Sequence, residues 1–288
     1  MTLAIMLMTS HGVWASTDHR LTTHPDGRLV ADNSVKHVVI KCPDGSALIA
    51  YTGLGRVGRI DVSAWMRGVL RGETRTVDET LIDLREQATA RLGLQAKALN
   101  VPHVFLVGAY LSGRPWAVEI RNFQAPTAIS PGGIQATFET SAAEAASPML
   151  LVGGAGAAAV NASDRELLAK ISQRKPRKPE DYMRLLGEIN QRAASGVGAA
   201  ARTVSSSSTV VFMPPSGEGV KIEWHGPEAE RHLAPPGMSH IFHGLDFSEM
   251  TKTLKSLQDL SDGKITQEEF DRIQEESLQR MVRSEGRR

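Results

Sequence analysis

The sequence predicts an α+β protein, a four-layer αββα sandwich followed by a C-terminal helical hairpin. Three observations carry this. Apolar, strand-like segments come in groups joined by short turns rich in Gly and Pro. Each of the first two groups is followed by two segments with helical spacing. After the last strands, a stretch rich in Pro, Gly and His leads into a further pair of amphipathic segments. Hairpin-linked strands pair antiparallel, and helices arriving in pairs cover the outer faces of two stacked sheets.

The elements follow in order. Residues 2–8 read as an apolar buried strand, His11-Gly12 as a tight turn and Val13–Ser16 as the returning strand. Past Pro25-Asp26-Gly27, Val35–Lys41 and Ala47–Thr52 form a second hairpin across Pro43-Asp44-Gly45. Val62, Trp65, Met66, Val69 and Leu70 share one helical face, closed by Arg71-Gly72. Thr76 with Glu79 is a capping box opening a helix expected to run to about Leu92 and stop at Gly93. Strands return at His103–Tyr110, Trp116–Asn122, Ala136–Glu139 and Met149–Val152. Helices follow at Ala157–Ser172 and Pro179–Ala194, separated by the basic loop Arg174-Lys175-Pro176-Arg177-Lys178, which reads as a solvated connection. Thr209–Met213 and Gly219–Trp224 close as a last hairpin. Three units result: a domain over 2–225, a linker over 226–245 and a helical tail over 246–288.

Composition bounds the function. In 288 residues, 41% hydrophobic and 23% charged content suit a folded globular chain, and a net charge of +1 argues against a nucleic-acid surface. The single cysteine, Cys42, excludes a disulfide framework within the chain. No run approaches a membrane span, so no membrane partner is expected and the location reads as cytoplasmic. Residues 3–8 before Val13-Trp14-Ala15 faintly suggest a secretory leader, but no Lys or Arg precedes them and Thr9, Ser10 and His11 interrupt them.

The chemistry concentrates at the start. Thr2 follows Met1, and a small second residue permits removal of the methionine. A free α-amine would then stand beside a hydroxyl on one residue, base and nucleophile together. Asp18 lies in Gly12-Val13-Trp14-Ala15-Ser16-Thr17-Asp18-His19-Arg20, Ser34-Val35-Lys36-His37-Val38 enters the third strand, and Gly53 ends the fourth before a Gly-rich turn. With the element order, these residues resemble the proteasome-type β subunits of the N-terminal-nucleophile hydrolases, mostly over the first 70 residues. The resemblance implies Thr2 as nucleophile and Asp18 as the acidic residue supporting a catalytic cation. Lys36 or His37 would be that cation; the segment matches Lys36, an ungapped reading His37. It further implies Gly53 as the oxyanion donor and Tyr51 as a flank of the substrate pocket. It also implies a homo-oligomer acting on a peptide or small amide, with no cofactor.

Departures are visible. Val152-Gly153-Gly154-Ala155-Gly156 carries Ala155 where the family has a serine, and Ser205-Ser206-Ser207-Ser208, with no nearby Asp, reads as a polar turn. Gly53-Leu54-Gly55-Arg56-Val57-Gly58 also matches a dinucleotide-binding fingerprint, which requires a βαβ unit. Asp262-Gly263-Lys264-Ile265 with Glu269 imitates half a calcium loop, but Leu260 would occupy a ligand position. Residues 254–270 instead resemble the short C-terminal helical-hairpin module known as SHOCT, which implies oligomerisation or partner docking. His225, His232, His240 and His243 cluster without a completed metal set. The leading expectation is a threonine peptidase or amidohydrolase. The alternatives are a non-catalytic scaffold of the same fold and a nicotinamide-dependent dehydrogenase.

Overall fold

The computed structural model describes residues 3–22, 28–124, 132–146, 148–173, 178–196, 203–227 and 240–282. The first strands are β1 (Ala4–Thr9), β2 (Gly12–Asp18), the short pair β3 (Leu21–Thr22) and β4 (Leu29–Ala31), β5 (His37–Cys42) and β6 (Gly45–Thr52). A second short pair, β7 (Arg56–Val57) and β8 (Ile60–Asp61), leads into α1 (Val62–Leu70). Next, α2 (Val77–Ala88) passes through a π-helical turn at Thr89–Gly93 into α3 (Leu94–Ala98). Then come β9 (Val104–Leu111), β10 (Arg114–Gln124), β11 (Gly133–Glu144) and β12 (Met149–Gly153), followed by α4 (Ala162–Gln173) and α5 (Pro179–Ser195). The chain continues with β13 (Ser208–Met213), β14 (Lys221–His225), β15 (His240–Phe242), β16 (Leu245–Asp246), α6 (Ser248–Ser261) and α7 (Gln267–Val282).

Besides the two short pairs, the described strands form two large sheets, ordered β12-β1-β2-β13-β14 and β11-β10-β9-β6-β5-β15-β16. Alternation along each strand explains the stacking. Met6 and Met8 of β1, Val13 and Ala15 of β2 and Val211 of β13 meet Val39, Leu48, Ala50 and Leu106 from the opposite sheet. The intervening residues face outward and are buried too. Ile5, Leu7, Trp14 and Phe212 pack with Tyr182, Met183 and Leu186 of α5. Val38, Ile40, Ile49 and Phe105 pack with Met66, Val69, Leu81 and Leu84 of α1 and α2. The architecture is therefore the αββα sandwich that the element order predicts. Burial on both faces is why β1 reads as a continuous apolar run instead of an alternating one.

The Thr76 capping box is present: Glu79 N donates to Thr76 Oγ1 at 3.2 Å, and Thr76 N to Glu79 Oε2 at 2.8 Å. The helix it opens does not stop at Gly93. A Cβ at Gly93 would lie 1.8 Å from the Ala136 carbonyl oxygen, so this glycine admits the backbone beside β11, and the chain continues helical to Ala98. Residues 240–245, assigned to the linker on sequence, and Asp246, assigned to the tail, instead extend the larger sheet. β15 pairs parallel with β5, and Ile241 is buried with the helix-side core. Three residues are too few for alternation to reveal such a strand. The dinucleotide reading fails on topology: β6 pairs antiparallel with both β5 and β9, so no βαβ unit surrounds the Gly-rich turn. Among the described residues, no helix is long and apolar enough to cross a membrane.

Candidate functional site

Asp18 and Lys36 meet at one end of the sandwich, both fully buried at 0% exposure. Lys36 Nζ lies 3.1 Å from Asp18 Oδ1 and donates to the Arg20 carbonyl at 2.5 Å. The carboxylate also collects backbone donors. Leu3 N reaches Oδ1 at 2.9 Å; Arg20 N and Ser205 N reach Oδ2 at 3.0 and 3.2 Å. Asp18 thus binds the start of β1, the end of β2, the entry to β5 and the segment before β13. Burial pushes the Lys36 ammonium below its ordinary pKa, and the adjacent Asp18 charge opposes that push. Thr2 lies outside the described residues.

Lys36 and His37 point in different directions, Lys36 to Asp18 and His37 into the space between the sheets. His37 begins β5 and points between the sheets, its Nδ1 3.3 Å from Thr17 Oγ1. Burial pushes its pKa down to about 4, so at neutral pH it is uncharged and cannot act as the supporting cation. One residue of register separates the two positions.

Gly53 has φ +119°, and a Cβ there would stand 2.5 Å from the Pro102 carbonyl oxygen and 2.7 Å from His103 Cα. Packing alone therefore requires glycine at this position, whatever else its N–H does. His103, which sequence reasoning did not single out, accepts from Leu54 N at Nδ1 (3.0 Å) and stacks on Tyr51. Burial holds it neutral, with a pKa near 3. Gly53 also borders a cavity of about 400 Å³ that includes Gly153, Gly154 and Ala155. The two glycine turns flagged in the sequence therefore share one hollow, to which Ala155 contributes a methyl group.

Tyr51, expected as a pocket flank, is not among the residues lining the hollow beside Gly53. Its side chain faces the helices in the apolar core, fully buried, with its hydroxyl 2.8 Å from Ser63 Oγ. Burial raises its pKa, opposed by that hydrogen bond. The position is even-spaced with Ile49 on β6, and the fold directs that face toward α1. The serine run is not a loose turn either. Ser205 and Ser207 are buried, Ser207 N donates to Ser205 Oγ at 3.1 Å, and Ser205 N holds Asp18. Only the contact with β2, invisible to composition, distinguishes it from a surface loop. His19 is a further buried neighbour, its Nε2 2.7 Å from Thr209 Oγ1. Desolvation, aided by the Lys36 charge, lowers its pKa to about 3.

No protein-family model and no curated protein matches the chain. Among solved structures, it is similar to Anbu (ancestral beta-subunit) from Yersinia bercovieri. The identity is 11% and the TM-score 0.49, over 92% of this chain and 97% of that one. It is also similar to an Anbu (Gly-1) mutant from Hyphomicrobium sp. strain MC1, at 12% identity and TM-score 0.44, over 81% and 93%. Both titles name Anbu. The expectation of a working threonine peptidase is corrected accordingly. In the chain itself, Ala155 offers a methyl group where the resemblance expects a serine.

Proposed function

We propose that this chain is a non-catalytic scaffold built on the proteasome-β-type sandwich, assembling with further copies of itself through its C-terminal hairpin. The observation that carries the reading is the outer face of that hairpin. Met250, Leu254 and Leu257 of α6 and Leu278 of α7 are exposed at 41%, 62%, 51% and 62%. Met250, Leu254, Leu278 and Met281 line one groove between the two helices. Exposed leucines this concentrated mark an interaction surface. A twofold contact would set each copy's Leu254 against the other copy's Leu278, the isologous arrangement that closes without leaving open ends. The sandwich beneath supports the reading by using its buried ion pair to hold four chain segments together.

Native mass measurement on the full chain and on a Leu254→Ser/Leu278→Ser variant tests this. The full chain should run as an assembly and the variant as a smaller species with unchanged circular dichroism. In parallel, a threonine-directed electrophile should leave the intact mass unaltered. A stoichiometric adduct lost on Thr2→Ala, or an assembly indifferent to the leucine changes, would defeat the proposal.

A further inference from the structure

A second cavity, of about 500 Å³, opens between the sandwich and the C-terminal hairpin. Its volume suits a small organic ligand. Three elements build it. The stretch from Leu21 to Val35 supplies Leu21 and Ala31 as apolar wall and Ser34 as floor; α1 supplies Ser63, Ala64 and Arg67; and α6 supplies Ser248, Lys252 and Lys255. The last three are spaced four and three apart, which places them on one helical face. That face is separate from the one carrying Leu254 and Leu257.

The chemistry of the lining is asymmetric. The hydroxyls of Ser34 and Ser63, 3.2 Å apart, line the floor, and Tyr51 Oη backs Ser63 from within the core at 2.8 Å. Among the described lining residues Arg67, Lys252 and Lys255 are cationic and Asp61 is acidic, its Oδ1 accepting from Ala64 N at 2.9 Å as the helix cap. Arg67 Nη1 donates to Ser248 Oγ at 3.3 Å, and Arg67 Nε is buried without a hydrogen-bond partner. A buried guanidinium N–H without an acceptor calls for one. Ser248 is fixed in turn by Asp246 Oδ1, which accepts from Ser248 N at 3.0 Å.

We infer that this cavity binds an anionic amphiphile, a carboxylate on a short acyl chain, with the carboxylate between Arg67 and the two α6 lysines and the chain against Leu21, Ala31 and Ala64. Because one wall is α6, such a ligand bridges the hairpin and the sandwich, and its binding holds the hairpin in place. The inference does not depend on the scaffold reading: it concerns the inner face of α6, and assembly concerns the outer one.

Calorimetric titration of the full chain with octanoate tests it, alongside octanol (the same chain without charge), acetate (the same charge without the chain) and inorganic phosphate. Octanoate should bind saturably and more tightly than the other three. Lys252→Glu/Lys255→Glu, both exposed positions, should weaken octanoate by about tenfold or more while leaving the fold intact. Ala64→Trp should abolish binding by filling the space, and bound octanoate should slow amide exchange in α6. Absence of saturable octanoate binding would overturn the proposal. So would octanol binding equally well and ignoring the charge reversal, or phosphate or acetate matching octanoate.

Discussion

The Asp18 end of the sandwich and the C-terminal hairpin handle polarity in opposite ways. At Asp18 a buried charge is surrounded by donors from four parts of the chain. On the hairpin, leucines face outward, and the charged groups of α7 pair locally, as with Arg280 and Glu276 at 3.1 Å. The first arrangement fixes one conformation, since removing any member leaves unpaired polar atoms in a dry interior. The second leaves surface that only another molecule can cover. Rigidity is invested where the N-terminal strand begins, and adaptability where the chain ends.

The largest test of this contrast is Asp18→Ala. It strands the Lys36 ammonium and three backbone N–H groups, so urea unfolding should show a loss of about 3–5 kcal/mol. A loss under about 1 kcal/mol, the range of ordinary surface changes, would break the comparison. Acid comes next. His19, His37 and His103 have folded pKa values near 3, 4 and 3 against the ordinary 6.5. Between those values the unfolded chain binds more protons than the folded one, so stability rises with pH there. It should be complete above pH 6.5 and fall progressively as the pH drops toward 4. Replacing His37 with Gln should flatten that dependence; a pH-independent unfolding curve would contradict the burial of all three. Gly53→Ala is expected to cost about 1–3 kcal/mol through its left-handed backbone and the His103 contact, read as a lowered melting temperature. Smallest of all, Leu254→Ser/Leu278→Ser should change the folding stability of the separated protomer, measured at a dilution where the assembly has come apart, by no more than about 0.5 kcal/mol, because in that state these side chains are in water. A large destabilisation would mean that the hairpin face belongs to the monomer's own core.

Much of the architecture is legible in the sequence because it follows from local rules. The β1–β2 turn at His11-Gly12, the Thr76–Glu79 cap and the apolar stripe of α1 each declare themselves within a dozen residues. The site is legible only in part. Asp18 and Lys36, both singled out in the sequence, form a buried pair, but the different directions of Lys36 and His37 show only in the register of β5. Tyr51 misleads because both faces of β6 are covered, so strand alternation marks no exposed side. His103 and Ser205 carry no local signature at all. Their roles arise from segments far apart in sequence, Gly53 against Pro102 and Ser205 against Asp18.

One connection has a consequence for integrity. β15 lies along β5 with His240, Ile241 and Phe242 opposite Val39, Ile40 and Lys41, and His243 N completes the ladder on the Lys41 carbonyl at 2.8 Å. Without it, β5 would be the rim of the larger sheet, its amides and carbonyls unspent. Proteolysis ahead of His240 would therefore do more than shorten the protein. If β15 then came away, it would open an edge of the larger sheet to which a strand from another molecule could add.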